Sequence, residues 1–407
     1  MGFWADLHVH SKYSRATSQN MDPAGIAKIA KLKGIKLMGT GDFTHPLYLK
    51  ELKQLLEPTG TGLFVYNDVY FMLTTEVSNI YEKHGHTYKI HNIILAPDFQ
   101  HVEAINRYLS KYGALESDGR PILGLDPETM VRELKKISPQ IEIIPAHIWT
   151  PWFSLFGANS GVNRIEDAFG DMTEHILALE TGLSSDPWMN WHWSALDRWA
   201  LVSNSDAHSP LNIGREANYF ETKLDYYDII DAIRTQDRKR FGYTIEFFPE
   251  EGKYHYDGHR KCGVRLHPRE AMFNNNICPV CGKPLTIGVL HRVYMLGDRT
   301  DDELPKDRIP FYHVIPLREI IADVVHMGKD SHTVEDRYMR LVRELGTEME
   351  ILLNLNIDDI KAVDPEVGTA IDKMRRGEVK VEPGYDGVYG VIKIETEPPE
   401  SPQLSLF

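Results

Sequence analysis

Metal-binding residue types recur at the ends of short apolar runs, beginning with Asp6-Leu7-His8-Val9-His10. Alternate side chains of a β-strand share a face, so His8 and His10 point the same way and supply half a metal site. The other donors follow in order along the chain. One apolar run ends at Asp42 and His45, residues 70–75 run into Glu76, and His91 opens His-Asn-Ile-Ile-Leu-Ala-Pro. Residues 141–146 deliver His147, and residues 199–205 deliver Asp206 and His208. Neutral imidazoles and carboxylates are ligands for zinc, manganese or iron. Cations held by such a set activate water near neutral pH. His84, His86, His101, His175 and His192 fall outside the pattern and are assigned ordinary hydrogen-bonded roles.

Such a set needs a scaffold that gathers strand ends at one face, as β/α barrels do. In their order, Asp6-Leu7-His8-Val9-His10-Ser11, the Gly41-Asp42-Phe43-Thr44-His45 turn, Glu76, His91, His147 and Ser205-Asp206-Ala207-His208 resemble the successive motifs of the polymerase-and-histidinol-phosphatase (PHP) superfamily. The resemblance covers roughly residues 1 to 215. It implies an α/β fold, a distorted seven-stranded β/α barrel, holding two or three divalent metals (zinc, manganese or magnesium). The metal set is then His8, His10, Asp42, His45, Glu76, His91, His147, Asp206 and His208. Within it Glu76, His147 and Asp206 are expected to be catalytic, with Glu76 as bridging carboxylate and Asp206 as the most damaging single loss. Two departures stand out. Many relatives have a Thr-Asp-His turn, whereas here Phe43 follows Asp42 and the histidine comes three residues later, which ranks Asp42 below His45 as a ligand. Relatives also often carry a further His or acid shortly after the second histidine, where this chain has Ser14, Arg15, Thr17 and Ser18. Two ions and three ions both remain open.

Farther along, the stretch from Glu246 to Cys262, Asn276-Ile277-Cys278-Pro279-Val280-Cys281-Gly282-Lys283 and Pro383-Gly384-Tyr385-Asp386-Gly387-Val388-Tyr389-Gly390 resemble the endonuclease Q family within that superfamily. The similarity then spans nearly the whole chain. It implies a DNA repair enzyme that nicks 5′ of deaminated bases (hypoxanthine, uracil, xanthine) and abasic sites, on double- or single-stranded DNA. A small-molecule phosphatase and a noncatalytic clamp-associated DNA-binding module are the alternatives.

Cys278-Pro-Val-Cys281 is a knuckle in which both thiolates reach one zinc, and Cys262 lies sixteen residues before it. A tetrahedral structural zinc needs a fourth ligand; His259 is the choice, with His267 and His255 as alternatives. Six of the seven Trp lie between Trp149 and Trp199, after His147 and around Glu180, where base faces could stack. Ser184 and Asn204 are candidates for hydrogen bonds to a flipped base.

Apolar residues at three and four spacing predict helices from residue 316, over 333–346, and as a pair over 353–363 and 366–377, with turns at Pro383-Gly384 and Asp386-Gly387. The tail ends Gln403-Leu404-Ser405-Leu406-Phe407 after a Pro- and Glu-rich approach. That pentapeptide is similar to the segment by which bacterial repair proteins dock on the replication sliding clamp, with Gln403, Leu404, Leu406 and Phe407 as contacts. The expected division is a metal-dependent barrel over 1–240, a zinc-binding lobe over 241–295, a helical DNA-contacting domain over 296–392, and a disordered tail over 393–407.

Composition points to a soluble cytoplasmic chain, and the repair resemblance implies that it is nucleoid-associated: 42% of residues are hydrophobic, 26% are charged, and no apolar run approaches the ~20 residues of a membrane span. Three cysteines cannot all pair, which fits a reducing compartment. The net charge of −14 does not exclude DNA, because each divalent metal adds two positive charges where a phosphate would sit. Lys and Arg also outnumber acids eight to four over residues 251–300.

Overall fold

The computed structural model describes residues 2–394, a mixed α/β architecture with parallel strand pairs near its centre and many helices around them. Strand Phe3–Asp6 runs parallel to Ile35–Gly39, which runs parallel to Val69–Lys83. That long strand pairs antiparallel with His86–Ala96, and His86–Ala96 pairs with Glu142–Pro145. A bridge from Ile143 to Ile176 leads to Ala178–Glu180, which lies parallel to Ala200–Val202. The bridge between Val9 and Ala207 brings the chain after the last strand back beside the first. Beyond this succession, Ala217–Phe220 and Phe241–Glu246 extend the sheet from the first strand, and Phe311–His313 joins its edge.

Period-two alternation explains how the strands are used. Phe3, Ala5 and Leu7 join Leu37, Met72, Ile93, Ile144, Ala178 and Val202 in one buried cluster. The intervening Trp4, Met38, Phe71, Ile94, Ile143 and Leu179 belong to a second, larger cluster packed with helices. Those helices start where the sequence supplies caps. Asp22, Asp98 and Asp126 accept from backbone amides at the starts of Pro23–Lys33, Phe99–Leu109 and Pro127–Ile137.

Glu76 and His91 were expected at strand ends and instead lie within a long hairpin, opposite Ile93 and Ser78. Thr74, Thr75, Glu76, Ser78 and Asn79 are all buried. Asn79, for example, accepts from Asn92 at 2.8 Å and donates to Leu125 O at 2.9 Å. Asn79 is satisfied in this way, and the ladder continues to the turn at His84-Gly85.

The helices after residue 316 form as the periodicity predicts, over Leu317–Val325, His332–Leu345, Ile357–Val363 and Pro365–Arg375. Arg337 ties two of them by pairing with Asp364. The chain then forms a hairpin of Lys380–Glu382 with Val391–Lys393 and touches the cysteine-bearing segment, where Tyr256 N donates to Gly384 O and Arg260 N donates to Asp386. Among the described residues no helix is long and apolar enough to cross a membrane.

One buried acid makes the fold sensitive to pH. Glu246 is buried, with Thr181 and Thr244 donating to its two oxygens at 2.9 and 2.5 Å. Burial, reinforced by nearby Asp186, pushes its pKa from 4.5 up to about 8. An acid raised in this way binds more protons when folded between those two values. The stability it lends at low pH is therefore lost as pH climbs from 4.5 to about 8. Glu246→Gln mimics the protonated form. In thermal melts its Tm should match the parent near pH ~5 and exceed it by a margin that widens towards pH ~8; a margin that does not change with pH would contradict this.

Candidate metal centre

Two donor groups meet at Glu76. His8, His10, Glu76 and Asp206 form one, and Glu76, His91 and His147 form the other, each with its ligand atoms within 4.8 Å of one another. The two carboxylate oxygens divide between them. Oε1 lies 2.7 Å from His91 Nδ1 and 3.0 Å from His147 Nε2. Oε2 lies 3.2 Å from His10 Nε2 and 3.6 Å from His8 Nε2, and Asp206 Oδ1 is 3.0 Å from His10 Nε2.

The spacing and the unmet valences suit cations. Donors bonded at ~2.0–2.1 Å to one tetrahedral ion lie about 3.3 Å apart, the range seen here. His8 Nε2, His10 Nε2 and Asp206 Oδ1 are buried and make no hydrogen bond, although they crowd together. Unpaired buried polar atoms are costly unless something else satisfies them, and a divalent ion would satisfy all three. Burial acts to raise the pKa of Glu76, but His91, Arg120 and His8 outweigh it and hold the group well below the ordinary carboxylate range. Burial pushes His91 down to about 4; burial acts to lower His8, His10 and His147 as well, but the neighbouring carboxylates outweigh it and raise all three.

A second layer aims these ligands. Glu180 receives His8 Nδ1 at 3.0 Å and the His147 amide at 2.8 Å. Asp42 faces His10 Nδ1 at 3.1 Å and accepts from Ser11 N and Ser14 Oγ. Thr150 Oγ1 lies 2.9 Å from His147 Nδ1. Such partners set which ring nitrogen faces the ion. Asp42, His147 and Asp206 all adopt positive φ, at 44°, 30° and 47°, a conformation disfavoured for these residues and common where function fixes geometry. Gly182, also at positive φ, allows His147 to approach, since a Cβ there would strike the histidine.

Not every expected ligand joins. Asp42 is occupied in orienting His10 and lies outside both groups. His45 also lies outside them, stacked on Tyr13 with its Nδ1 buried and unpaired. His208 packs its ring against His10 at 4.4 Å and turns Nδ1 to the Asp206 carbonyl. Asn204 departs furthest from expectation. Its Oδ1 accepts from Leu7 N and Asn218, its amide donates to Glu180, and it is buried. It braces the second layer and does not line the cavity beside Ser184. Ser184 is half-buried and lines a cavity of about 650 Å³ with Thr150, Trp152, Leu183, Tyr254 and His255. Of the tryptophans, Trp149, Trp193 and Trp199 are core, while Trp152 is 46% exposed at that cavity. Gln403, Leu404, Leu406 and Phe407 lie outside the described residues.

Sequence reasoning missed Glu180 and Arg120. Glu180 closes an apolar strand just as the ligands do, which was a usable signal. Arg120 follows no such run and sits in a loop, donating to Glu76 Oε2 at 3.1 Å.

A separate group, His259, Cys262, Cys278 and Cys281, has the four donors of a tetrahedral structural site. The hairpin of Asp257–His259 with Val264–Leu266 carries two, and the knuckle closed by Gly282 N to Cys278 O carries the others. Burial raises the Cys278 thiol, but the Cys281 and Val280 amides outweigh it and bring it down to about 7, towards the ligating thiolate. Of the alternative ligands, His267 caps the helix Pro268–Phe273 and His255 stacks on Tyr256. The local apolar cluster holds only Val264, Ala271, Cys278 and Leu285 at its centre, so a bound ion would supply much of the stability there.

Residues 316–378 match the family described as the MJ0043 C-terminal domain. The uncharacterized protein MJ0043 of Methanocaldococcus jannaschii is 33% identical over 258 residues, 61% of this chain; the chain spans only 32% of that protein's length. The uncharacterized protein YqxK of Bacillus subtilis is 29% identical over 413 residues, 96% of this chain and 99% of that protein. The crystal structure of the lesion-specific endonuclease PfuEndoQ from Pyrococcus furiosus superposes with a TM-score of 0.88 at 36% identity, covering 98% of this chain and 96% of that one. Endonuclease Q in complex with a 27-mer duplex carrying an abasic lesion at the active site gives 0.86 at 35% identity, covering all of both chains.

The different placements of Asp42 and His45 make a direct test. Asp42→Asn should lower divalent-metal affinity ~10–100-fold in calorimetric titrations, because His10 loses the partner that orients it. His45→Ala should leave the affinity of both groups unchanged. The opposite ranking would return His45 to the ligand set.

Proposed function

The chain belongs to the endonuclease Q family, and we propose that it hydrolyses the phosphodiester 5′ of deaminated bases and abasic sites in DNA. The observation that carries this reading is the shared carboxylate: two donor groups on opposite oxygens of Glu76, beside a cavity that Thr150 connects to His147. A flipped nucleotide needs such a recess next to the scissile bond. Trp152 and Tyr254 offer stacking faces there, and Ser184 offers a hydroxyl to the base.

His8, His10, Glu76 and Asp206 would hold one divalent ion, and Glu76, His91 and His147 a second. When bound, such ions make water nucleophilic near neutral pH and neutralise phosphoryl oxygens. The protein's part is orientation. Glu180 and Asp42 fix the imidazoles, and Glu76 keeps the two groups in register. Water oxygen bonds to phosphorus as the bond to the 3′ oxygen breaks, leaving a 3′-hydroxyl and a 5′-phosphate on the lesion nucleotide.

The succession of seven strands is read as the distorted PHP barrel of residues 1–240, and His259, Cys262, Cys278 and Cys281 as the zinc site of residues 241–295. Residues 296–392 are assigned to contact DNA, although 311–313 join the main sheet and 380–393 touch the zinc-binding lobe. The tail, through Gln403, Leu404, Leu406 and Phe407, is assigned to the sliding clamp.

The test is a nicking assay on duplexes with deoxyinosine, deoxyuridine, an abasic site or no lesion, with manganese, magnesium, zinc or chelator. The expected result is a metal-dependent nick 5′ of each lesion and none on intact DNA. Asp206→Asn should cost at least ~100-fold, since it removes a ligand charge. Full nicking with full metal content in that variant would overturn its role. Cys278→Ser should release one zinc and open residues 255–287 to protease, while the barrel keeps its ions.

A further inference from the structure

One side chain in the metal centre belongs to no ligand group. Arg120 donates to Glu76 Oε2 at 3.1 Å, the oxygen that also faces His10 and His8. Its side chain is 33% exposed, so one edge of the guanidinium meets the ligand carboxylate while other atoms reach solvent.

The backbone that carries it is held on both sides. Gly119 N donates to Tyr13 O at 3.1 Å, and Thr44 Oγ1 donates to Gly119 O at 3.2 Å. Arg120 N donates to Asp118 Oδ1 at 3.1 Å, and Ser78 N donates to Pro121 O at 3.0 Å. A Cβ on Gly119 would collide with the Asp42 carboxylate and the Ser14 hydroxyl, so only glycine lets this loop settle over the group that orients His10. Residue 120 is delivered to the centre by pinned main chain, and a third of its side chain stays exposed there.

Charge decides where the guanidinium goes. Without cations it balances Glu76 and Asp206, both of which attract it. With a dication in each donor group, positive charge exceeds that of the two carboxylates, and the pull of Glu76 on Arg120 weakens. The phosphodiester is then the anion within reach, and arginine's planar fork matches phosphate oxygens. We propose that Arg120 binds a non-bridging oxygen of the scissile phosphate and is a catalytic residue of the hydrolysis. This rests on the lesion-endonuclease reading above. As water adds to phosphorus and the 3′ oxygen departs, the guanidinium holds the charge on that oxygen; it gives and takes no proton.

The test uses the metal-loaded full chain. Arg120→Ala should lower the single-turnover nicking rate on an abasic duplex ~10²–10³-fold, the effect of removing one preorganised donor. Metal content by mass spectrometry should equal the parent's. Added guanidinium chloride should restore at least ~10-fold in this variant and nothing in the parent, and Arg120→Lys should fall between the two. Inorganic phosphate, titrated calorimetrically into the loaded protein, should bind Arg120→Ala more weakly by ~10-fold. The proposal is overturned if Arg120→Ala loses metal and excess metal restores its rate, which is what support of Glu76 alone would give. It is also overturned if the rate and the phosphate affinity match the parent's. A parent that nicks no lesion duplex but binds phosphate through Arg120 would sink the lesion reading and overturn the catalytic role with it, leaving Arg120 a phosphate-binding residue.

Discussion

Everything in this molecule that bears on chemistry depends on burying one carboxylate. Glu76 sits in the middle of a long hairpin with essentially no access to water, and an isolated buried charge of that kind is too costly to keep. Its two oxygens are instead turned to opposite sides, each facing a pair of imidazoles. The arrangement makes sense only if positive charge is supplied on both sides. Three unpaired buried atoms on His8, His10 and Asp206 mark where one share of it belongs.

The scaffold follows from that requirement. Donors far apart in sequence must converge, so strands follow one another around a common apolar interior and place His8, Glu76, His91, His147 and Asp206 at one site. The second layer is as polar as the first, with Glu180, Asp42 and Asn204 linking neighbouring loops. Asn204 shows how this works: one side chain ties the first strand, Asn218 and Glu180, so moving any of them moves the His8 imidazole. Local strain at Asp42, His147 and Asp206 is held by this network.

The donors were legible because their chemistry is restricted: histidines and acids after apolar runs have few other common uses in such a pattern. The knuckle with Cys262 and His259 was legible for the same reason, and so were the helices after residue 316, whose periodicity is local. Legibility failed where long-range contact decides. Glu76 reads as a strand end, since the contacts that carry the strand past it come from distant segments. The turn's spacing ranks Asp42 below His45, and only the contacts with His10, Ser11 and Ser14 show Asp42 orienting a ligand. Asn204 reads as a free carboxamide because its partners come from three separate segments. Arg120 reads as a loop residue, with nothing local to announce the carboxylate it meets.

The measurement that bears most directly on this account is anomalous diffraction from crystals soaked in manganese. The shared role of Glu76 requires two peaks about 3.5–4 Å apart, one near each carboxylate oxygen, the first ringed by His8, His10 and Asp206 and the second by His91 and His147. A single peak, or peaks that leave Glu76 uncoordinated and hydrogen-bonded to its histidines, would contradict it.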